Sequence, residues 1–496
     1  MGLAGRETVR INLEGRLVLP GFTDTHIHFH EWSLTRRELQ LSNITSLEEL
    51  LACVEKEVSV RNRSQWITGQ GWNEADWQET KMPTREILDS VAPDHPVVLW
   101  RCDLHLAVAN SAALKMADIH AGTPDPPQGR IERDVNGKPN GILRELAINL
   151  IRDVIDPPQT EQIAIAYKEA TDVLYRLGIT GIHDIRLMND NDGGSALQTF
   201  QELDSTNQLG LRSWVTLPGH RLDDIISSGL RTGFGNDRLR LGHVKFFTDG
   251  GVGARTAWMI DPYLDADRGM PLMEMADLDC EIRKADAAGL SVMVHAIGDR
   301  ANREVINIFE RLYKQERKSG SIKPNYKHRI EHLQVIRPDD IRRLCKLPVA
   351  LGVTPANMLL DINLIETALG EKGAWAYSFR QLMDTGLPVM FSSDCPVCDP
   401  APLVGIYAAV TRQRQDGFPS GGWYPESRVT IPEAVKAYTS VPAIVHGAKD
   451  QGSIALNNKA DLAVFSRDFI SNPSEDILNT QVDMTIFDGE IVYRNF

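Results

Sequence analysis

Short apolar runs alternate along this chain with longer segments of helical period. Eight such runs read as strands: 22–29, 179–185, 211–217, 239–248, 290–297, 328–334, 349–354 and 387–394. Most are separated by a helix-sized stretch. Strands that are apolar at nearly every position are buried on both faces, which points to a parallel sheet covered by helices. Eight β–α units predict an α/β fold, a (β/α)8 TIM barrel with its active site at the C-terminal strand ends.

Two regions break the alternation. About 150 residues separate the first and second runs, far more than one β–α unit needs. This stretch holds Trp66, Trp72, Trp77, Trp100 and a Gly- and Pro-rich loop at 122–129. It reads as an inserted subdomain over about 59–145. After a helical segment at 432–439 the chain turns to short strands, at 452–454, 460–465 and 483–493, divided by Gly and Asp turns. With 9–19 paired onto them they predict a small β-sandwich made by the two termini. The expected domains are thus 1–19 with 440–496, and a barrel over 20–439 carrying the insertion.

Composition narrows the function classes. The chain has 496 residues, 42% hydrophobic and 24% charged, with a formal net charge of −14. Acidic balance argues against nucleic acid or an anionic membrane surface as partner. No apolar run is long enough to span a bilayer, and Met1 to Arg10 lacks the apolar core of a secretory signal. Six cysteines in a chain this long read as free thiols in a reducing compartment. The expectation is a cytoplasmic protein with a small-molecule substrate, compatible with a homo-oligomer.

The candidate chemistry sits at the predicted strand ends. His26 and His28 are two residues apart on the first run, so a strand presents both on one face, where they can grip one divalent ion. A lone His-x-His is weak, and its weight comes from company. Lys245 lies late in the fourth run, His295 closes the fifth, His332 the sixth and Asp394 the eighth. Four imidazoles and a carboxylate on one rim suit zinc or a similar divalent ion. Lys245, between Val244 and Phe246, is costly as a free cation unless its pKa falls or it finds a partner. A neutral amine can take up carbon dioxide as a carbamate, N6-carboxylysine, and bridge two metals. The plainer alternative is a lysine paired with Asp249 or Asp394 beside one metal.

A wider set of motifs carries a resemblance. It comprises Pro20-Gly21-Phe22, Gly71-Trp72-Asn73 with Trp77, Pro83-Thr84-Arg85, Asp94-His95-Pro96-Val97, Asp103-Leu104-His105 and Asn110-Ser111-Ala112-Ala113-Leu114. Gly141-Ile142-Leu143-Arg144-Glu145, Arg255-Thr256-Ala257, 295–301, Arg329-Ile330-Glu331-His332 and Ser393-Asp394-Cys395-Pro396-Val397 extend it. The chain resembles the amidohydrolase superfamily over nearly its whole length, in the YtcJ-like branch (amidohydrolase 3) that includes N-substituted formamide deformylase. The resemblance implies a metal-dependent hydrolase. In it His26, His28 and Lys245 hold one ion, while carboxylated Lys245, His295 and His332 hold another. Members of this branch have several more strands before the Pro-Gly-Phe motif. The N-terminal part of the sandwich is therefore expected to be short, through a truncated start or a partner subunit that fills the gap.

The expected reaction is hydrolysis of a carbon–nitrogen bond by metal-activated hydroxide, with Asp394 as general base and then acid. The substrate is an amide, N-substituted formamide or cyclic amide. An ester, lactone or phosphoester on the same centre is the alternative, or a non-catalytic binding or regulatory homologue. Candidate substrate contacts are His105, Asp103, Trp72 and Arg255. Arg255 has a second reading, an ion pair with Asp249 that shapes the loop, and Trp72 and Trp258 can equally be packing. His30 is expected behind the ligands or in the pocket, Asp299 as a helix cap, and Cys395 and Cys398 as small loop residues. His183 is read as a substrate contact or a structural group.

Overall fold

The apolar runs become the strands of one parallel sheet. They are β1 (Phe22–Ile27), β2 (Ile179–Asp184), β3 (Arg212–Pro218), β4 (Leu239–Phe247), β5 (Val292–Ala296), β6 (Arg329–His332), β7 (Ala350–Val353) and β8 (Val389–Phe391). Each pairs in parallel with the next in chain order. The first and last strands meet through His26 O, which accepts from Asp394 N–H at 2.8 Å, and Cys395 O, which accepts from His28 N–H at 2.9 Å. The Thr25 hydroxyl adds a bond to Phe391 O at 3.0 Å. This is the (β/α)8 barrel that the alternation predicts. The computed structural model describes all residues except 1–4, 6–7, 43, 64, 75–76, 78–80, 102–105, 127–128, 188–193, 320–325 and 473. Of 145–146, 315–319 and 474–475 it describes the backbone alone.

Burial explains the strand composition. β2 is buried at all six positions, and β7 at all four. Helices such as Met275–Ala287 and Pro355–Leu369 turn apolar faces inward, the latter burying Met358, Leu359, Ile362 and Ile365. At the N-terminal strand ends the helix Ser440–Val445 stops the barrel, with Val445 packed on Ala350 and Met390.

The chain divides into two compact units, Met1–His30 with Lys168–Phe496, and Glu31–Tyr167. The first unit also holds a four-stranded antiparallel sheet in the order Leu17–Pro20, Leu462–Phe465, Val482–Phe487, Glu490–Arg494. One strand comes from before the barrel and three from after it. The stretch 452–454 forms no strand. Gly452 has φ +73° and lies so close to Thr439 O that a Cβ there would be 2.6 Å away, which suits a turn rather than an extended run.

The second unit is built on a six-stranded sheet ordered Leu39–Gln40, Ile67–Trp72, Val97–Arg101, Leu106–Ala109, Pro139–Glu145, Gly129–Arg133. Its first three strands are parallel and the rest antiparallel. It is wider than the 59–145 expected for the insertion. Leu41, Leu50 and Val54 share one core with Ile67, Trp72 and Val97, so the residues before 59 fold with it. On the far side Ala147, Ile148 and Ile151 pack with Val98 and Leu143.

Arg212 ties the terminal sheet to the barrel. Its guanidinium holds Asp461 at 2.5 and 3.0 Å and Asp488 at 3.0 Å, and it is largely buried. Removing one partner of a buried pair leaves the other charge uncompensated. Arg212→Leu is expected to lose about 3 kcal/mol of stability, read as a lower urea midpoint. An unchanged midpoint would contradict this role.

Candidate metal centre

β1 delivers His26, and His28 follows one residue past its end. Asp394 lies three residues beyond β8. The Nε2 atoms of both histidines stand 3.4 Å from Asp394 Oδ1. Ligand atoms of all three side chains lie within 4.8 Å of one another. Among the described residues no other group of His, Cys, Asp or Glu meets that spacing.

The opposite ring nitrogens set the tautomers. His28 Nδ1 faces Ile185 O at 3.0 Å, and a carbonyl can only accept. His26 Nδ1 faces Glu331 Oε2 at 2.7 Å. Both Nδ1 atoms therefore carry a proton, and both Nε2 atoms face Asp394. Burial, then the charge of Lys245, lowers His26 to about 4 despite the nearby carboxylates, so its ring is neutral near pH 7. With His28 neutral as well, two Nε2 lone pairs and a carboxylate oxygen converge on one point. That donor set fits a divalent cation.

Glu331 anchors this arrangement from below. Burial pushes its carboxyl upward, but the adjacent Arg329 charge and the His26 hydrogen bond overcome it and hold it below the usual carboxylate range. Arg329 Nε and one terminal nitrogen grip the two Glu331 oxygens at 2.9 and 3.1 Å. The other terminal nitrogen donates to His183 Nδ1 at 2.6 Å, and His183 Nε2 meets His446 Nδ1 at 3.2 Å. His183 is therefore a link in a buried chain rather than a rim group. Gly352 on β7 leaves room for Glu331, because a Cβ there would stand 2.3 Å from Oε2.

The remaining strand-end candidates flank the three donors. The His332 ring lies 5.0 Å from that of His26 and 4.5 Å from that of His295. Burial lowers His332 to about 3 and His295 well below its usual value. Lys245 Nζ and His295 Nε2 are buried and make no hydrogen bond. Neither Asp249 nor Asp394 bonds Lys245, so the paired-lysine alternative is absent from this structure. Burial lowers Lys245 to about 8. Asp249 instead accepts the backbone N–H groups of Trp258, Ile297 and Gly298 at 2.8, 3.0 and 2.8 Å.

The backbone turns sharply at the ligands. His332 and Asp394 have φ of +70° and +59°, the left-handed region that non-glycine residues seldom adopt. Asp24 braces the first and last strands. Its Oδ1 accepts from His26 N–H and Ser393 N–H at 3.2 Å each, and its Oδ2 accepts from the Ser393 hydroxyl at 2.5 Å. Asn357 Nδ2 lies 3.5 Å from Asp394 Oδ2. Asp24, Arg329, Glu331 and Asn357 did not stand out as site residues in the sequence. A signal existed for two of them, Arg329-x-Glu331, charges at strand period inside a buried strand.

Other expected contacts lie elsewhere. Arg255 is clamped on Asp265 at 2.8 and 2.7 Å, not on Asp249. Trp72 is fully buried in the core of the Glu31–Tyr167 unit, its Nε1 donating to Leu99 O at 3.2 Å. Asp103 and His105 fall outside the described residues. His30 belongs to the helix Phe29–Thr35, not to the strand. Asp299 begins the helix Asp299–Ser319 and accepts from Ile260 N–H and Arg337 rather than capping. Burial raises the Cys395 and Cys398 thiols, the latter to about 12, so neither is a thiolate near pH 7.

YtcJ of Bacillus subtilis (strain 168) is 31% identical over 98% of this chain and 91% of its own length. The N-substituted formamide deformylase of Arthrobacter pascens is 26% identical over 99% of this chain and 91% of its own length. A crystal structure of an uncharacterized metal-dependent hydrolase from Pyrococcus horikoshii OT3 superposes with a TM-score of 0.78. It shares 29% identity and covers 94% of this chain and 89% of that one. The profile described as the amidohydrolase family matches residues 10–493, and the chain belongs to that family.

Proposed function

We propose that this protein hydrolyses a carbon–nitrogen bond other than a peptide bond, in a small amide, N-substituted formamide or cyclic amide. One observation carries the reading. His26 Nε2 and His28 Nε2 face a single oxygen of Asp394 while acceptors hold both Nδ1 protons. The formamide arm draws on the Arthrobacter pascens relative and its name.

In this reading His26, His28, Lys245 and Asp394 hold one divalent ion, zinc first among the candidates. His295 and His332, with a carboxylated Lys245, hold a second. The buried amine, which makes no hydrogen bond, supports the carbamate, since a lysine near pKa 8 is partly neutral at neutral pH. When bound, the ion lowers the pKa of water toward neutrality and polarises the substrate carbonyl.

The chain supplies the rest. Asp394 accepts a proton from the attacking water and returns it to the leaving nitrogen. The C–N bond breaks, a C–O bond forms, and one water is consumed to give a carboxylic acid and an amine. Glu331 keeps the His26 proton on Nδ1, so that Nε2 faces the reacting side. The five described cysteines are unpaired, which suits a reducing compartment such as the cytoplasm. Among the described residues no helix is long and apolar enough to cross a membrane.

Asp394→Asn is expected to fold and to lose about a thousandfold or more in kcat. Near-normal turnover by the metal-loaded variant would sink the assignment. Glu331→Gln is expected to weaken metal affinity by about 10- to 100-fold, measured by competition with a chromogenic chelator. A panel of amides, formamides and cyclic amides set against matched esters, lactones and phosphoesters decides the bond type. Turnover confined to the oxygen compounds would replace the amide reading, and metal binding without any turnover would leave a non-catalytic homologue.

A further inference from the structure

The buried chain that starts at His26 ends at the other mouth of the barrel. Its last atom, His446 Nε2, has no hydrogen-bond partner, although the residue is only 4% exposed. The chain also dictates what that atom offers. The Arg329 guanidinium can only donate, so His183 Nδ1 accepts and His183 Nε2 carries its proton. That proton goes to His446 Nδ1, and the His446 proton is left on Nε2. A buried N–H donor therefore stands free at the barrel's N-terminal end.

His446 lines a polar cavity of about 30 Å³ there, together with Thr180, Ser213, Trp214, Arg240 and Gln451. The Trp214 ring stacks on His446 at 4.4 Å, and the Arg240 guanidinium lies 5.8 Å from that ring. Charges around the cavity do not cancel. Arg212 is paired with Asp461 and Asp488, Arg238 with Asp488, and Lys459 with Asp237. Among the described residues that line the cavity and their ion-pair partners, four cations meet three carboxylates. Arg240 has the longest of these ion pairs, 3.9 Å to an Asp237 that Lys459 already holds at 2.7 Å, and its Nε is bonded to Asn236 O. The volume suits a ligand of a few heavy atoms and excludes a bulky organic substrate.

We propose that this mouth is a second ligand site, which takes a small oxyanion on His446 Nε2–H and the Arg240 guanidinium. The site is distinct from the metal centre and does not depend on the reaction proposed there. Its ligand class is defined by acceptor oxygens and negative charge, shared by inorganic oxyanions and free carboxylates.

Selenate and acetate, titrated separately into the metal-loaded protein by calorimetry, test it and tell the two sources apart. Saturable binding of either is expected, with anomalous scattering from bound selenate within hydrogen-bond reach of His446 Nε2 in a crystal. Arg240→Met, which leaves the buried chain intact, is expected to weaken that binding by about tenfold or more. His446→Phe is expected to abolish it, and His446→Gln, which keeps a donor near the Nε2 position, to restore it. No saturable binding of either anion would overturn the proposal, as would binding unchanged in Arg240→Met. If His446→Phe fails to fold, the half-buried Arg240 variant and the crystal decide alone.

Discussion

Glu331 is a carboxylate without access to water, and the centre is organised around keeping it charged. An isolated buried carboxylate would take up a proton. Here Arg329 forks onto both oxygens and His26 donates to one. In return the carboxylate fixes which nitrogen of His26 carries hydrogen. Several otherwise unrelated features follow from that requirement. Gly352 is bare because the carboxylate fills its side-chain space. The Arg329 terminal nitrogen that holds Glu331 also donates to Thr25 O, in the strand that carries His26. His183 is drawn inward by the third arm of the same guanidinium.

A regular strand cannot place Glu331 and His332 on one partner, because neighbouring side chains take opposite faces. Both nevertheless reach His26, one by hydrogen bond and one by ring contact. The left-handed backbone at His332 and Leu333 resolves the conflict by ending β6 there and turning the last residue back over the rim. Asp394 uses the same device after β8 while its N–H is held by His26 O. Strained backbone of this kind costs on the order of 1–3 kcal/mol per residue and persists where surrounding bonds over-determine it.

These two devices also mark the limit of what the sequence discloses. The barrel is legible because burial on both faces writes a continuous apolar run at each strand, as in Ile179–Asp184 and Ala350–Val353. His26, His28, Lys245, His295, His332 and Asp394 stand out because each ends or nearly ends such a run. The supporting groups do not. Glu331 and Arg329 sit inside a strand whose charges only make sense once their mutual contact is known. Asp24 works across 369 residues of sequence, through Ser393. The extent of the second unit was hidden for a similar reason. Leu50 and Val54 lie on the helix Leu47–Val60, and nothing local in the sequence tells which core they join.

The three converging donors straddle the place where the barrel closes, two at the end of the first strand and one shortly after the last. Asp24 and Ser393 stitch the same line. Two of the three donors are thus in place early in synthesis, and the third does not exist until residue 394 has been delivered and the cylinder has shut. Closing a loop of that length is entropically demanding, and the bonds at the closure are what hold it. An ion held by these three donors would therefore be captured late in the life of each molecule, and would act as a clasp on the cylinder as well as a reagent within it.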